Sequence, residues 1–368
     1  MPMNLNQPRI CILTTRNIFD APCLEKYRHL LQEPFDIVYW DRCGIQEECG
    51  AANYFRYKGI LSANAGKTEK IRSYLGFVYF ANQILKKHDY AKLIVFPTQM
   101  GWLIQSKLCH KYKGRYVLDI RDYAGENFPL IFYITKKIVM NAGLCSITSP
   151  AYKTFLPKRD YVISHNIQPI DKEIVRQYRM RVHDHSQPIV LSFIGSIRFI
   201  DQQKKLISLF GNDMRFQLKY IGRGSEQLTE FCRQEGIDNV TLIGRFERAQ
   251  LPEFYLETDM AINVYGNHDP YLDYALSNKL DSAAMMGMPI LCSTDTYMWE
   301  ISRHYGFGCC VDLENSTTPD KVFEYYRGIN RDALFSACDS FMDSVNRDEK
   351  EYKSTIIRYF YDREKMFK

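Results

Sequence analysis

Residues 189–195 read IVLSFIG and residues 216–222 read FQLKYIG, and each run stays largely apolar until it ends at a glycine. The pattern returns at 240–244 (VTLIG) and 260–266 (MAINVYG), with helix-like stretches such as 204–210 (KKLISLF) between the runs. Short buried strands that alternate with helices are typical of a parallel sheet covered by helices. The second half of the chain is therefore predicted to be a doubly wound, nucleotide-binding type of domain.

The first half has the same rhythm. Its strand candidates are RICILTT (9–15), FDIVYW (35–40), KLIVF (92–96) and RYVLDI (115–120). Because 368 residues are too many for one ordinary core, two α/β domains are predicted. A polar stretch at 43–66 is expected to be irregular, and a charged linker is expected at 168–187.

The predicted boundaries are an N-terminal domain at 1–167 and a C-terminal domain at 188–345. Residues 346–368 should form a final helix that returns to the first domain. Its apolar stripe, which must be buried, is Tyr352, Ile356, Ile357, Phe360 and Tyr361.

Composition excludes several classes of protein. A net charge of +5 favours anionic partners such as nucleotides, but it is too small to indicate binding to nucleic acid. The 11 cysteines form no C-x-x-C pair, so they predict reduced thiols in the cytoplasm rather than a zinc site. The amino-terminal residues lack the pattern of a signal peptide, and no apolar stretch is long enough to span a membrane.

Two glycine motifs are misleading. Gly66-Lys67-Thr68 resembles the end of a phosphate-binding P-loop, but Leu61 stands where that motif needs glycine. Gly222 and Gly224 follow a strand, but Gln227 occupies the third glycine position of the dinucleotide fingerprint. A tight strand-to-helix turn explains Gly222 and Gly224 without a cofactor.

An anion site is predicted from two segments of the second half. In FIGSIR (193–198), a buried strand runs into Gly195, and Arg198 could bind phosphate oxygens. In SNKLDSAAMMGMPIL (277–291), Ser277 and Asn278 would cap a helix whose free amides and Lys279 favour a negative charge.

SNKLDSAAMMGMPIL resembles a segment of family 4-like retaining glycosyltransferases, particularly those of bacterial capsule, exopolysaccharide and O-antigen synthesis. Four neighbouring segments stand in the order typical of that family: FIGSIR, LKYIGRGSEQL, VTLIGRFERAQLPEFYLETDMAINVYG and GFGCCVD. In the first half, YVLDIRDYAGE and SPAYKTFLPKRDYVISHNI are similar to the same subgroup. The resemblance implies a GT-B fold, in which two facing Rossmann-like domains enclose a ligand cleft.

The resemblance also implies roles for individual residues. Donor-binding residues would be Gly195, Ser196, Arg198, Lys204, Gly244, Arg245, Phe246, Ser277, Asn278, Lys279 and Ser282. The acceptor side would include Asp119, Arg121, Glu126 and His165. Asp122, Arg198 and Lys279 are the candidate catalytic residues. Acidic residues beside Arg121 could equally form an ion-pair network at a strand end.

The chain departs from the family at one important pair. The family has two glutamates eight residues apart, and the corresponding positions here are Tyr274 and Ser282. Asp273 and Asp281 each lie one residue away. The ribose contact, which the second glutamate makes in the family, would fall to Ser282.

The implied reaction moves a sugar from a nucleotide-diphosphate sugar to a saccharide or lipid-linked acceptor, without a metal or another cofactor. Two alternatives remain open: a sugar-nucleotide 2-epimerase of the same fold, and a relative that binds nucleotide sugars without turnover. Basic and aromatic residues at 67–88 and 131–140 also suggest peripheral contact with an anionic lipid surface, such as the inner face of the cell membrane.

Overall fold

The computed structural model describes residues 9–59, 66–182, 184 and 186–362. Contacts divide the chain into two compact units. The first consists of residues 1–164 together with 348–368, and the second of residues 165–347. Among the described residues, no helix is long and apolar enough to cross a membrane.

The first unit contains a seven-stranded sheet with the strand order β3-β2-β1-β4-β5-β6-β7. Its strands are β1 (Ile10–Thr14), β2 (Phe35–Asp41), β3 (Asn53–Lys58), β4 (Lys92–Phe96), β5 (Tyr116–Ile120), β6 (Leu144–Ile147) and β7 (Val162–Ile163). Its helices are α1 (Cys23–Leu30), α2 (Lys67–Lys87), α3 (Thr98–Leu103), α4 (Gln105–Cys109) and α5 (Pro129–Asn141). All strand pairs described in this sheet are parallel, so the strands share one carboxyl edge.

The second unit contains a six-stranded sheet with the order β10-β9-β8-β11-β12-β13, again with parallel pairs. Its strands are β8 (Ile189–Ile194), β9 (Phe216–Ile221), β10 (Val240–Ile243), β11 (Met260–Asn263), β12 (Ile290–Ser293) and β13 (Gly308–Val311). Its helices include α6 (Lys172–Arg179), α7 (Ile200–Phe210), α8 (Thr229–Gln234), α9 (Leu251–Leu256), α10 (Pro270–Asp273), α11 (Asn278–Met286), α12 (Tyr297–Tyr305) and α13 (Thr318–Arg327).

The last helix, α14 (Arg331–Tyr361), is 31 residues long. Its residues from Asp348 onward count among the first unit. There Tyr352, Ile356 and Phe360 are buried in one apolar cluster with residues of α1 and of the sheet. Three members of the stripe expected from the sequence therefore lie in the core, whereas Ile357 is exposed.

Two segments differ from the sequence-based expectation. The expected irregular stretch at 43–66 contains β3, whose residues are exposed or half-buried. The expected linker at 168–187 contains α6, which is capped by the carboxylate of Asp171 and buries Tyr178. Both predictions were wrong. The helix was missed because most of its residues are charged or polar, and β3 because an edge strand has no fully buried apolar run.

Candidate functional site

The turns that follow β8 and β9 pack backbone against backbone at the carboxyl edge of the second sheet. Gly222 has a φ of +140°, and a Cβ atom there would overlap the carbonyl oxygen of Gly195. Gly195 itself has a φ of +128°. Only glycine fits such a close approach at a positive φ, which agrees with the tight turn expected at Gly222.

The ammonium group of Lys279 lies beside this pair of turns. Its Nζ is 3.5 Å from the point where a Cβ on Gly195 would stand. It donates a hydrogen bond to the hydroxyl of Tyr265 over 2.7 Å. The same Nζ lies 4.5 Å from the ring centre of Phe193 and 5.3 Å from that of Tyr265. The cation is therefore held next to a glycine backbone that an anionic ligand can approach.

Tyr265 lies just beyond the end of β11, and both its backbone and its ring are held by neighbouring residues. Its amide donates to the Ser293 hydroxyl over 3.2 Å. Its ring makes edge-to-face contacts with Phe193 and Phe199. Tyr265 could not be singled out from the sequence, because a tyrosine at the end of a strand carries no motif of its own.

The amino-terminal end of α11 follows β11 of the same sheet, with the short helix α10 between them. The Ser277 hydroxyl accepts a hydrogen bond from the Lys279 amide over 3.3 Å, as expected of a cap. The Ser277 amide was expected to bind an anion, but it donates a hydrogen bond to the sulfur of Met298 over 3.4 Å. The amide of Asn278 has no hydrogen-bond partner among the described residues.

Arg198 lies on the segment between Gly195 and α7. Its neighbour Ile197 is buried, and the Ile197 amide donates to the carbonyl of Arg223 over 2.9 Å. The side chain of Arg198 is exposed and has no ion-pair or hydrogen-bond partner within the described part of the chain. A guanidinium that is anchored through its backbone and unpaired is available to a phosphate group.

The other expected donor-binding residues lie on three segments of the second unit, namely after β8, on α7 and after β10. Ser196 is half-buried beside Gly195, and Gly244 and Arg245 are exposed after β10. The Lys204 ammonium lies 5.7 Å from the ring centre of Phe231. Phe246 packs edge-to-face against Phe254, with 5.2 Å between ring centres.

Of the two positions of the missing glutamate pair, Ser282 is buried and Tyr274 is half-buried. Ser282 is 4% exposed on α11. Burial raises the pKa of Tyr255, and a hydrogen bond with Ser282 partly offsets that effect. Burial also raises the pKa of Asp273, whose Oδ1 has no hydrogen-bond partner among the described residues. Ser282 therefore lies against α9, and Asp273 offers a free acceptor atom before α11.

In the first unit, Asp119 and Arg121 form a buried ion pair at the end of β5, with 2.9 Å between Oδ2 and Nη1. The other oxygen of Asp119 accepts a hydrogen bond from Ser146 over 2.9 Å. Burial lowers the pKa of Arg121, but Asp119, Cys23 and Tyr27 together more than offset that effect, so the net shift is upward. This geometry is that of an ion-pair network, the alternative weighed from the sequence.

Asp122 lies two residues beyond β5 and accepts a hydrogen bond from Arg16, with 2.7 Å between Oδ2 and Nη2. Both side chains of this pair are partly exposed. Arg16 follows β1, so the pair links the ends of two strands across the intervening β4. The sequence singled out Asp122 but not Arg16, because no spacing rule connects residues 106 positions apart.

Glu126 and His165 are both buried. One carboxylate oxygen of Glu126 accepts a hydrogen bond from the Ala124 amide over 2.7 Å. The other has no partner among the described residues, and burial raises the pKa of Glu126. His165 is the first residue of the second unit. Within the described ranges, no group of three or more His, Cys, Asp or Glu side chains could hold a metal ion.

The fold places the chain in a recognisable structural class. No protein-family model and no curated protein matches the sequence. Solved structures do match. Anabaena HepE in complex with UDP has a TM-score of 0.66 at 12% identity, covering 95% of this chain and 99% of that one. The likeness shows a GT-B fold, as the sequence predicted.

Two further structures support the same class. Sucrose-phosphate synthase from Thermosynechococcus elongatus has a TM-score of 0.63 at 12% identity, covering 95% of both chains. WaaG, a glycosyltransferase involved in lipopolysaccharide biosynthesis, has a TM-score of 0.57 at 11% identity, covering 94% of this chain and 95% of that one. Identities this low establish the fold and leave the reaction to be argued from the site.

Proposed function

We propose that this chain is a glycosyltransferase that transfers a sugar from a nucleotide-diphosphate sugar to a saccharide or lipid-linked acceptor. The observation that carries the proposal is the Lys279 ammonium, held by Tyr265 beside the backbone of Gly195. HepE, which has the same fold, has been solved with UDP and with UDP-glucose. A diphosphate needs close backbone approach and positive charge, and this edge offers both.

In the proposed reaction, the diphosphate lies over Gly195, with Lys279 and Arg198 on its oxygens. The negative charge on the leaving diphosphate grows as the glycosidic bond breaks. Cations that are already in place stabilise this charge more in the transition state than in the ground state. Charged hydrogen bonds of this kind contribute roughly 1.5–3 kcal/mol each.

The stereochemical outcome belongs to the proposal as well. We assign a retaining reaction, in which the acceptor hydroxyl attacks from the side of the leaving group and a departing phosphate oxygen takes its proton. This route needs no strong general base. Asp119 of the first unit is unsuited to that role, because Arg121 and Ser146 already occupy its two carboxylate oxygens. Asp122, with its partner Arg16, is the candidate catalytic residue on the acceptor side.

A role in cell-surface polysaccharide synthesis is supported by the order of the family 4-like motifs. WaaG, which shares the fold, is involved in lipopolysaccharide biosynthesis. Lipid-linked acceptors lie at membranes, so we also propose peripheral contact with an anionic lipid surface. Two exposed helix faces of the first unit support this contact.

On α2, Ile71, Leu75 and Tyr79 recur every four residues and are each more than 60% exposed. On α5, Leu130 and Tyr133 are also exposed. Exposed lysines accompany them on both helices, namely Lys70, Lys86, Lys87, Lys136 and Lys137. Phe77, which the sequence placed among the lipid-facing residues, is instead fully buried and stacks on Trp40. Exposed basic and apolar side chains on the same helix suit an anionic membrane.

Ligand-induced stabilisation tests the proposed function. The melting temperature should rise with UDP and with UDP-sugars, because a ligand that binds only the folded state stabilises it. Incubation of the stabilising nucleotide sugar with a saccharide panel should then release UDP and form a glycoside. A protein that no nucleotide or nucleotide sugar stabilises, or one that only epimerises the donor without an acceptor, would contradict the proposal.

A further inference from the structure

Three neighbouring strands of the first sheet end beside buried polar atoms that have no hydrogen-bond partner. These atoms are Nδ2 of Asn17, Nε of Arg42 and Oγ1 of Thr98. Asn17 is 2% exposed and Thr98 is 1% exposed. Buried polar atoms in proteins are nearly always hydrogen-bonded. Fifteen buried side-chain atoms lack a partner among the described residues, and these three stand out because they share one sheet edge, where a ligand can supply the missing partners.

The three residues occupy one edge because their strands are adjacent and parallel. Asn17 follows β1, Arg42 follows β2 and Thr98 follows β4, and β1 lies between the other two. The Arg42 amide donates to the Asn17 side-chain oxygen over 2.9 Å, which ties two of the strand ends together. With neighbouring strands about 4.8 Å apart, the three ends span about 10 Å, which is the width of one or two sugar rings.

Arg42 differs from the arginines around it. Arg16, Arg56 and Arg121 are each paired with a carboxylate. Within the described part of the chain, Arg42 has no carboxylate partner. Its guanidinium lies 4.4 Å from the ring centre of Trp40, and its Nη2 donates to the Tyr74 hydroxyl over 3.3 Å.

The surroundings of Arg42 preserve its charge while fixing its orientation. Aromatic faces hold a guanidinium without neutralising it. The planar group then keeps donors for two oxygens of a phosphate or a carboxylate. A negatively charged ligand group is therefore the partner that this position lacks.

We propose that this edge is the acceptor site, and that it takes a saccharide bearing a negatively charged group, phosphate or carboxylate. Arg42 binds the charged group, while Asn17 and Thr98 bind sugar hydroxyls. The inference rests on the proposed function and narrows its substrate class. It adds three residues to the acceptor side that none of the sequence motifs contains.

The test measures saccharide binding by calorimetry and saturation-transfer NMR, with UDP present at saturation. The probes are glucose, glucose 6-phosphate and glucuronate, which separate the neutral sugar, the phosphate and the carboxylate. At least one anionic probe should bind tenfold or more tightly than glucose. Arg42→Gln should remove that preference, whereas Arg358→Gln, which changes an exposed arginine on α14, should leave it intact.

Thr98→Val provides a second measurement that does not depend on Arg42. It removes a buried hydroxyl without a partner and keeps the shape, so the melting temperature should rise while binding of the anionic saccharide weakens severalfold. Failure of both anionic probes to bind, or equal affinities for Arg42→Gln and Arg358→Gln, would overturn the inference. UDP-dependent stabilisation in the same samples reports separately on the proposed function, because the residues assigned to UDP lie in the second unit.

Discussion

The Lys279 ammonium and the Tyr265 hydroxyl are joined by a hydrogen bond of 2.7 Å, and the ring of Tyr265 lies 5.3 Å from the same nitrogen. One tyrosine thus contacts the cation both through its oxygen and through its ring. The lysine chain alone has four rotatable bonds and would sample many positions. Tyr265 therefore acts as a positioning residue for Lys279.

Tyr265→Phe should lower turnover by about tenfold, because the lost bond is one to a charged group. The affinity for UDP should change less, since the ring still faces the ammonium. Steady-state kinetics and calorimetry measure the two effects. Tyr79→Phe, on the exposed face of α2, is the matched control and should behave as the wild type in both assays. Equal turnover for the two variants would remove Tyr265 from the site.

Arg198→Ala should reduce turnover by about 10- to 1000-fold, with a smaller effect on donor binding. The reason is that an exposed, unpaired guanidinium near the diphosphate does most when charge develops on the leaving group. Lys279→Ala should act in the same direction but more weakly. Both variants are compared with Lys321→Ala, an exposed lysine on α13. If Arg198→Ala changes neither turnover nor affinity, the diphosphate does not lie at Gly195.

Ser282→Ala should mainly weaken nucleotide binding if Ser282 has inherited the ribose contact of the absent glutamate. The loss of one neutral hydrogen bond predicts about a two- to tenfold increase in the dissociation constant for UDP. Calorimetry with UDP and uridine measures it. An unchanged affinity would show that Ser282 does not contact the ribose and is bound only to Tyr255.

Gly222→Ala should destabilise the second unit by about 3 kcal/mol or more, because the added carbon overlaps the backbone of Gly195 at a positive φ. Gly244→Ala is the natural comparison, since no atom lies within 4 Å of the added carbon. It should change the free energy of unfolding by less than about 1 kcal/mol. Urea denaturation of both variants measures the difference, and similar losses would contradict the close approach of the two turns.

Flotation with vesicles that contain anionic lipid tests the proposed membrane contact. At low salt the wild type should float with the vesicles, and high salt should weaken this association. Replacing Ile71, Leu75 and Tyr79 together with serine should leave most of the protein in the soluble fraction. Replacing the exposed Met214 of the second unit with serine should not. A wild type that never floats would rule the contact out.

Much of the architecture could be predicted because buried parallel strands are short, largely apolar runs. IVLSFIG and FQLKYIG coincide with β8 and β9, and their terminal glycines coincide with the packed turns. The charged helix α6 and the edge strand β3 escaped because neither needs a strongly apolar sequence.

The site was less predictable than the fold. Lys279 and Arg198 stand beside glycine or capping signals, which a sequence displays. The roles of three other residues depend on strands that are distant in the chain but adjacent in the sheet, and no motif encodes that proximity. These residues are Tyr265, Arg16 and Arg42. The residues missed were therefore those whose partners come from other strands.

The helix α14 determines when the first unit can finish folding. Tyr352, Ile356 and Phe360 complete its apolar cluster, yet the ribosome adds them only after the whole second unit. Every strand of the first sheet precedes the second unit in the chain, and residues 165–347 separate that sheet from the helix segment that covers it. During synthesis the first sheet must wait with an uncovered apolar face until the second unit has been made. Chains interrupted within the second unit would therefore expose that face to chaperones and proteases, even though every strand of the first sheet had already been synthesised.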